Sequence, residues 1–218
     1  MRPRSRWLMV LLFAMSIPPM TATAQTMLEA AERGDTAGVE RLIASGAPID
    51  QANASGHTPL SLAVQNNHLV IATRLIDAGA DINAQAANQD TPWLLAGALG
   101  RTAMLRHMLP KGPDFSIHNR FGGNALIPAC ERAHVDTVAF LVTTPIDVNH
   151  VNNLGWTCLL EIVILGDGGP RHVEVTRLVL AAGANPNIAD KDGVSPLQHA
   201  RRRGQREVAA LIEAAGGR

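Results

Sequence analysis

Hydrophobic and polar positions along the chain recur with a period of about 33 residues, far longer than the period of one helix or strand. Similar phrases begin at Thr58, Thr91, Asn124 and Thr157 in steps of 33 residues, and another begins at Ser195 after a step of 38. A weaker copy begins at Gln25. Apolar pairs return at one phase of each period: Leu42-Ile43, Leu75-Ile76, Met108-Leu109, Leu141-Val142 and Val179-Leu180. We expect these pairs to face the neighbouring copy and to form a continuous, quasi-linear core.

Two positions in each period favour the end of a helix. Glycine and asparagine tolerate the left-handed backbone conformation that ends many helices. The first position holds Gly34, Asn67, Gly100, Ala133, Gly166 and Gly204, and the second holds Gly46, Gly79, Gly112, Pro145 and Gly183. Each copy is therefore predicted to be helix, turn, helix and loop.

The phrase Thr58-Pro59-Leu60-Ser61-Leu62-Ala63, followed by Gly79-Ala80-Asp81-Ile82-Asn83, resembles the ankyrin repeat. Gly183-Ala184-Asn185-Pro186-Asn187 is a second close copy of the later part. The resemblance covers residues 25–218 and implies an all-α solenoid of about six helix-turn-helix repeats with protruding loop fingers. The approximate repeat bounds are 25–52, 53–85, 86–118, 119–151, 152–189 and 190–218.

Residues 1–24 are typical of a cleaved secretory signal peptide. Arg2, Arg4 and Arg6 precede an apolar run from Trp7 to Ile17, and Ala22-Thr23-Ala24 forms a small-x-small site. We expect cleavage after Ala24 and a periplasmic or secreted protein without a membrane anchor; the alternative is that the apolar run anchors the chain.

The charge of the mature chain argues against nucleic-acid binding. Removing the three leader arginines from 19 basic residues leaves 16 against 19 acidic ones, which is a net charge of −3. The run Arg201-Arg202-Arg203 is short, and we interpret it as a solvated face rather than a polyanion site.

Motifs for catalysis, cofactors or metals do not occur in the sequence. The chain contains no G-x-S-x-G, H-E-x-x-H, paired C-x-x-C or phosphate-binding loop. His68, His134 and His172 recur once per repeat, so we expect a structural ladder with neighbours about 10 Å apart, too distant to share a metal. The sequence therefore predicts a non-enzymatic protein with no cofactor.

The two cysteines are not expected to form a disulfide. Cys158 opens the first helix of its repeat, and Cys130 lies five residues further along the equivalent helix. Helices about 10 Å apart with an axial offset of about 7.5 Å would separate the Cα atoms by about 12 Å. A disulfide tolerates only about 7 Å, so we interpret both as small core residues.

Departures from the repeat indicate where a partner binds, because matching residues are already explained by stacking. Five extra residues, Asp167 to Arg171, lengthen one turn and either offer backbone amides to an anion or serve as a spacer. The fourth and fifth fingers carry Phe121, Leu154 and Trp156, which either dock a partner or cover neighbouring loops.

The first helix of the fifth repeat is also apolar almost all round, so its outer residues need cover. Ile164 and Leu165 occupy positions that are polar in other repeats, and either the insertion or a partner covers them. Glu161 in this helix is interpreted as a buried hydrogen-bonding partner or as part of a groove. We predict a docking surface with apolar anchors and a charged rim, formed by Phe121, Leu154, Trp156, Ile164, Leu165, Glu131, Arg132 and Arg171.

The leading functional hypothesis is a periplasmic scaffold or adaptor, expected to be monomeric, that binds a protein through its concave face and fingers. A subgroup of exported bacterial ankyrin proteins is similar to this chain in two stretches, Gly122-Gly123-Asn124-Ala125-Leu126-Ile127-Pro128-Ala129-Cys130 and Gly166-Asp167-Gly168-Gly169-Pro170-Arg171-His172. This resemblance implies a periplasmic binding module, and some exported bacterial ankyrin proteins are associated with supporting catalase or oxidative-stress tolerance. One alternative is an inhibitor or immunity protein that occludes the active site of an enzyme. Another is a small-molecule binder that uses Glu161, Arg171 and His172.

Overall fold

The structure is a computed structural model that describes residues 25–218, so the predicted leader lies outside the described residues. Within this range the chain forms paired helices and no strand, which confirms the predicted all-α solenoid. The pairs are α1 (Met27–Arg33) with α2 (Thr36–Ala44), α3 (Pro59–Gln65) with α4 (Leu69–Asp77), α5 (Pro92–Ala98) with α6 (Thr102–Met108), α7 (Leu126–Glu131) with α8 (Val135–Leu141), α9 (Cys158–Leu165) with α10 (Pro170–Ala181), and α11 (Pro196–Arg202) with α12 (Arg206–Ala214). A short 3₁₀ helix, Leu109–Lys111, extends α6.

The recurring threonine-proline phrase is the start of the first helix in each pair. The Thr58 hydroxyl accepts a hydrogen bond from the backbone N–H of Ser61 at 3.2 Å, and Pro59 occupies the first helical turn. This arrangement satisfies a backbone donor that has no partner within the helix, and proline costs nothing at that position. In the fourth pair, the Asn124 side chain replaces the hydroxyl and accepts from the Leu126 N–H at 3.0 Å.

Helix ends follow the predicted left-handed positions with two exceptions, Pro145 and Gly166; the proline ring excludes a positive φ at Pro145. Asn67 and Ala133 adopt φ of 61° and 49°, in register with glycines elsewhere. Gly166 does not, since its φ is −70°, and Gly168 takes the left-handed conformation instead. The five-residue insertion moves the turn by two residues, and α10 begins at Pro170, three residues before the position equivalent to the start of α8.

Consecutive repeats stack helix on helix to form one continuous core. The first helix α7 packs against α9, and the second helix α8 packs against α10. The apolar pairs of the second helices contribute to this core as predicted: Leu75 and Ile76 are both buried, and in the three later pairs one member is fully buried and its neighbour packs at the margin. The buried members include Leu75, Met108, Leu141 and Val179. Burial of such side chains is the main stabilising term of the stack.

The prediction that Cys130 and Cys158 remain unpaired is wrong, because they form a disulfide with a Cα–Cα distance of 5.6 Å. The prediction assumed that the first helices of neighbouring repeats lie side by side with no displacement along their axes. In the structure, the end of one first helix lies beside the start of the next. The same approach occurs one repeat earlier, where a Cβ built on Gly97 would lie only 2.7 Å from the Cβ of Ala125. Gly97 and Ala125 are the equivalents of Cys130 and Cys158, so the close contact belongs to the stacking geometry.

Candidate functional site

A groove lies between the fourth and fifth loop fingers and the first helices α7 and α9. Its volume is about 290 Å³. Its walls combine apolar side chains from the fingers and helix ends with polar groups at the base. The lining residues are Asn119, Phe121, Gly123, Ile127, Pro128, Glu131, Arg132, Asn152, Leu154, Glu161 and Leu165. We call this feature the finger groove.

Two asparagines hold the finger tips that form the walls of the groove. The Asn119 Oδ1 accepts hydrogen bonds from the backbone N–H groups of Phe121 at 2.9 Å and Gly123 at 3.0 Å. The Asn152 Oδ1 accepts in the same way from Leu154 at 2.9 Å and Trp156 at 3.0 Å. Asparagine favours such turns because its short side chain reaches the backbone two residues on. Each turn leaves its tip residue outside the core, so that Phe121 is 49% exposed and Leu154 47% exposed.

The two fingers are also joined to each other. The Asn153 backbone N–H donates to the Phe121 carbonyl at 2.8 Å, and the His150 ring lies 2.6 Å from the Gly122 carbonyl. The Lys191 ammonium of the next finger donates to the Asn153 carbonyl. These contacts fix Phe121 and Leu154 relative to one another, which gives the groove a preformed wall.

The apolar helix α9 forms the opposite wall and leaves one large side chain uncovered. Ile164 packs at the margin of the core, whereas Leu165 is 49% exposed. The insertion does not cover Leu165, because its turn packs toward the sixth repeat, where Gly168 approaches the Gln205 side chain. Of the two explanations offered by the sequence, cover by the insertion is therefore wrong for Leu165.

Glu161 provides a buried carboxyl group at the base of the groove. The side chain is 5% exposed, and its Oε1 accepts a hydrogen bond from the Asn152 Nδ2 at 3.0 Å. Burial, together with a smaller contribution from the nearby Glu131 carboxylate and against the opposing Asn152 hydrogen bond, raises the pKa of Glu161 to about 7. Both interpretations from the sequence apply, since Glu161 is a buried hydrogen-bonding partner and also lines the groove.

Asn152 connects the finger to the base, and its replacement by aspartate tests this connection. Asn152→Asp keeps the oxygen that accepts from Leu154 and Trp156, but it turns the other side-chain atom into an acceptor facing Glu161. We expect a loss of about 2 kcal/mol in the free energy of unfolding at pH 8, because a donor is lost and two carboxylates face each other. Urea unfolding measures it.

Asn119→Asp is the matched control for this prediction. Asn119 makes the same turn without a glutamate partner, and in the last finger the Asp190 carboxylate accepts from the Asp192 and Val194 N–H groups at 3.0 and 2.9 Å. We therefore expect a change within about 0.5 kcal/mol for Asn119→Asp. Equal losses for both variants would contradict the assigned role of Asn152.

The structure brings five of the eight predicted docking residues together in the finger groove: Phe121, Leu154, Leu165, Glu131 and Arg132. Trp156 and Ile164 instead pack against the core. Arg171 lies in a separate cleft with Pro170, and its Nε donates to the Ala133 carbonyl at 3.1 Å. The prediction missed Asn119 and Asn152. An available signal was the recurrence of asparagine or aspartate at the first finger position in Asn53, Asn119, Asn152 and Asp190.

Two other sequence features have structural roles. The His68 Nε2 donates to the Glu32 carbonyl at 3.2 Å, and the His172 Nε2 donates to the Glu131 carbonyl at 3.0 Å. Each histidine thus ties its repeat to the one before it. In the insertion, the Gly169 N–H donates to Asp167 Oδ1 at 2.8 Å, so this amide is already paired. Over residues 25–218, no helix has the length and apolar character needed to cross a membrane.

Comparisons with known proteins identify similar repeat proteins. The family model for ankyrin repeats in three copies matches residues 20–86. The ankyrin repeat protein YahD of Escherichia coli is 41% identical over 190 residues, which is 87% of this chain and 94% of YahD. The crystal structure of an ankyrin repeat domain from Acinetobacter baumannii has a TM-score of 0.85 at 47% identity and covers 88% of this chain and 98% of its own. The ankyrin repeat domain of Bcl-3 has a TM-score of 0.78 at 26% identity, covering 89% and 87% of the two chains.

Proposed function

The chain belongs to the ankyrin repeat family, and we propose that it is a non-enzymatic module that binds a partner protein in the finger groove. Ankyrin repeats are protein-binding modules that present extended concave surfaces. The observation that carries the proposal is the convergence of Phe121, Leu154 and Leu165, each about half exposed, on one groove. Exposed apolar side chains that cluster in a polar frame are typical of protein interfaces.

The distribution of exposed apolar side chains supports this location. Over residues 25–218, six large hydrophobic side chains are strongly exposed: Leu69, Val70, Phe121, Val151, Leu154 and Leu165. Three of these line the finger groove, whereas Leu69 and Val70 lie together on α4, two repeats away. The groove therefore offers the largest group of uncovered apolar anchors on the described surface.

The disulfide supports a periplasmic or secreted location. Disulfides persist in oxidising compartments and are rare in the cytosol. Cys130 and Cys158 are bonded to each other at the core of the stack. Together with the predicted leader, this favours export followed by folding and oxidation, and we propose that the mature protein acts there as a monomer. A stress-response enzyme is one candidate partner implied by the resemblance to exported bacterial ankyrin proteins.

The small-molecule alternative receives no support from the geometry. Glu161 lines the finger groove, whereas Arg171 and His172 lie in the neighbouring cleft beside the insertion. His172 is further engaged by Asp167 Oδ1 at 2.7 Å. The three polar groups that would have formed a pocket do not converge.

Removal of two anchors tests the proposal. We expect Leu154→Ala/Leu165→Ala to weaken binding of the partner at least about 30-fold, because truncation of a central buried anchor costs about 2 kcal/mol or more. The measurement is pulldown from an extract of the producing cells, followed by titration of the retained protein. The control is Leu69→Ala/Val70→Ala, which removes equally exposed side chains from α4. Retention of the partner by the groove variant, or its loss from the control, would contradict the proposal.

A further inference from the structure

The base of the finger groove carries acidic groups that no cation in the described protein neutralises. Among residues 25–218, neither Glu131 nor Glu161 forms a salt bridge within 4.0 Å, although seven such bridges occur elsewhere in this range. Burying a carboxyl group without a charged partner is costly, and proteins usually pair such a group. The groove therefore lacks a positive partner at its base.

Hydrogen bonds fix how this base faces an incoming group. Because the Asn152 Oδ1 accepts from two backbone amides, its Nδ2 must point toward Glu161 and donate to Oε1. The second carboxyl oxygen, Oε2, has no hydrogen-bond donor among the described residues. A donor that enters the groove therefore meets Oε2 of a side chain that is itself 5% exposed.

The cation next to the groove is already engaged elsewhere. Arg132 lines the rim, but its Nη1 donates to the Ala98 carbonyl of the preceding repeat at 2.5 Å. Arg120 is not among the residues that line the groove, and its guanidinium carbon lies 4.7 Å from the centre of the Phe121 ring. Phe121 therefore already makes a cation–π contact on one face of its ring, and a basic side chain that enters the groove would contact the ring in the same way.

The dimensions of the groove suit one long side chain. Its volume of about 290 Å³ lies at the lower end of the range for ligand pockets. Its apolar walls fit an aliphatic stem, and its acidic base fits a terminal cation, which is the character of a long basic side chain.

We infer that the finger groove takes up a lysine or arginine side chain from an extended segment of the partner protein, flanked by apolar residues. The cation pairs with Glu161 and Glu131, its stem packs between Leu154 and Leu165, and the flanking residues contact Phe121. This inference rests on the proposed function, because it specifies what the bound protein presents to the same groove.

Selection from a library of short random peptides, using the mature chain, tests the inference. We expect peptides retained by the wild type to be enriched for lysine or arginine at one position between apolar residues. The enrichment should disappear on Glu131→Gln/Glu161→Gln and persist on Asp136→Asn/Glu207→Gln, which removes the same charge from exposed positions. Glutamine keeps the shape of the base and still accepts from Asn152, so the groove variant should fold.

Titration of a selected lysine peptide against a copy with norleucine in its place gives the size of the effect. On the wild type, we expect the norleucine copy to bind at least about 30-fold more weakly than the lysine peptide. On Glu131→Gln/Glu161→Gln, we expect the two peptides to bind with equal affinity. In the wild type, the side-chain carboxyl ¹³C resonance of Glu161 should shift with the lysine peptide and not with the norleucine copy.

The outcomes separate this inference from the proposed function. Peptides that Leu154→Ala/Leu165→Ala no longer binds, but that show no basic preference or equal affinity for the norleucine copy, would overturn the inference and leave the groove as a protein-binding site. If no selected peptide is sensitive to Leu154→Ala/Leu165→Ala, both the inference and the proposed location are wrong.

Discussion

Replacing Cys130 and Cys158 together with alanine is expected to lower the free energy of unfolding by about 3–4 kcal/mol. The disulfide closes a loop across a sequence separation of 28 residues, and the chain-entropy relation for a loop of that length gives a value in this range. Both sites are fully buried, and the smaller side chains also lose packing contacts. Urea unfolding at neutral pH measures the difference.

Reduction of the wild type provides the matched control for the alanine variant. We expect a reductant to destabilise the wild type by a similar amount and to leave Cys130→Ala/Cys158→Ala unchanged. If the free energies of unfolding of the oxidised wild type and the variant differ by less than about 1 kcal/mol, the disulfide does not stabilise the protein as its loop length predicts. Because the bridge joins α7 to α9, the same change should increase amide exchange in the two helices that form the base of the groove.

Glu161→Gln is expected to stabilise the protein by about 3 kcal/mol at pH 8 and to have little effect near pH 4. The Glu161 pKa is about 7 in the folded protein against an ordinary value of 4.5, so the folded state holds a proton that the unfolded state releases. Wild-type stability therefore falls as the pH rises from about 4.5 to about 7, and the loss is complete above that window. Glutamine does not ionise, so the variant avoids this loss, and each pKa unit corresponds to about 1.4 kcal/mol.

Urea unfolding at several pH values measures this effect, with Glu131→Gln as the control. Glu131 is half-buried at the groove, and its carboxylate contributes less to the raised pKa of Glu161 than burial does. We therefore expect a smaller stabilisation from Glu131→Gln over the same pH window. A difference in the free energy of unfolding between wild type and Glu161→Gln that stays constant from pH 4 to pH 8 would show that Glu161 is not buried as described.

The fold was predictable from the sequence because each repeat has the same local signals. Thr58 and its equivalents mark where first helices begin, and positions such as Asn67 mark where they end. These signals depend only on a few neighbouring residues, so they can be identified from the sequence without knowing how the repeats pack. Of the two exceptions, Pro145 cannot adopt a positive φ, and Gly166 lies beside the insertion, where the local count of residues changes.

The site was only partly predictable because it depends on the axial offset and the rotation between neighbouring repeats. The disulfide was missed since the spacing of residues along each helix does not reveal that α7 and α9 are displaced along their axes. Arg171 lies outside the groove because its Nε donates to the Ala133 carbonyl of the fourth repeat, a contact that the length of the insertion does not reveal. Exposed finger residues such as Phe121 and Leu154 were identifiable, since they replace polar residues of other repeats.

Site-specific photo-crosslinking tests most directly whether the finger groove binds a partner protein. A photoreactive phenylalanine analogue is placed at Leu154 or Leu165 in the groove, and at Val70 on α4 as an equally exposed control. After irradiation in the producing cells, we predict a covalent adduct with one partner protein from positions 154 and 165 and none from position 70. Adduct formation from Val70 alone, or equally from all three positions, would contradict the account.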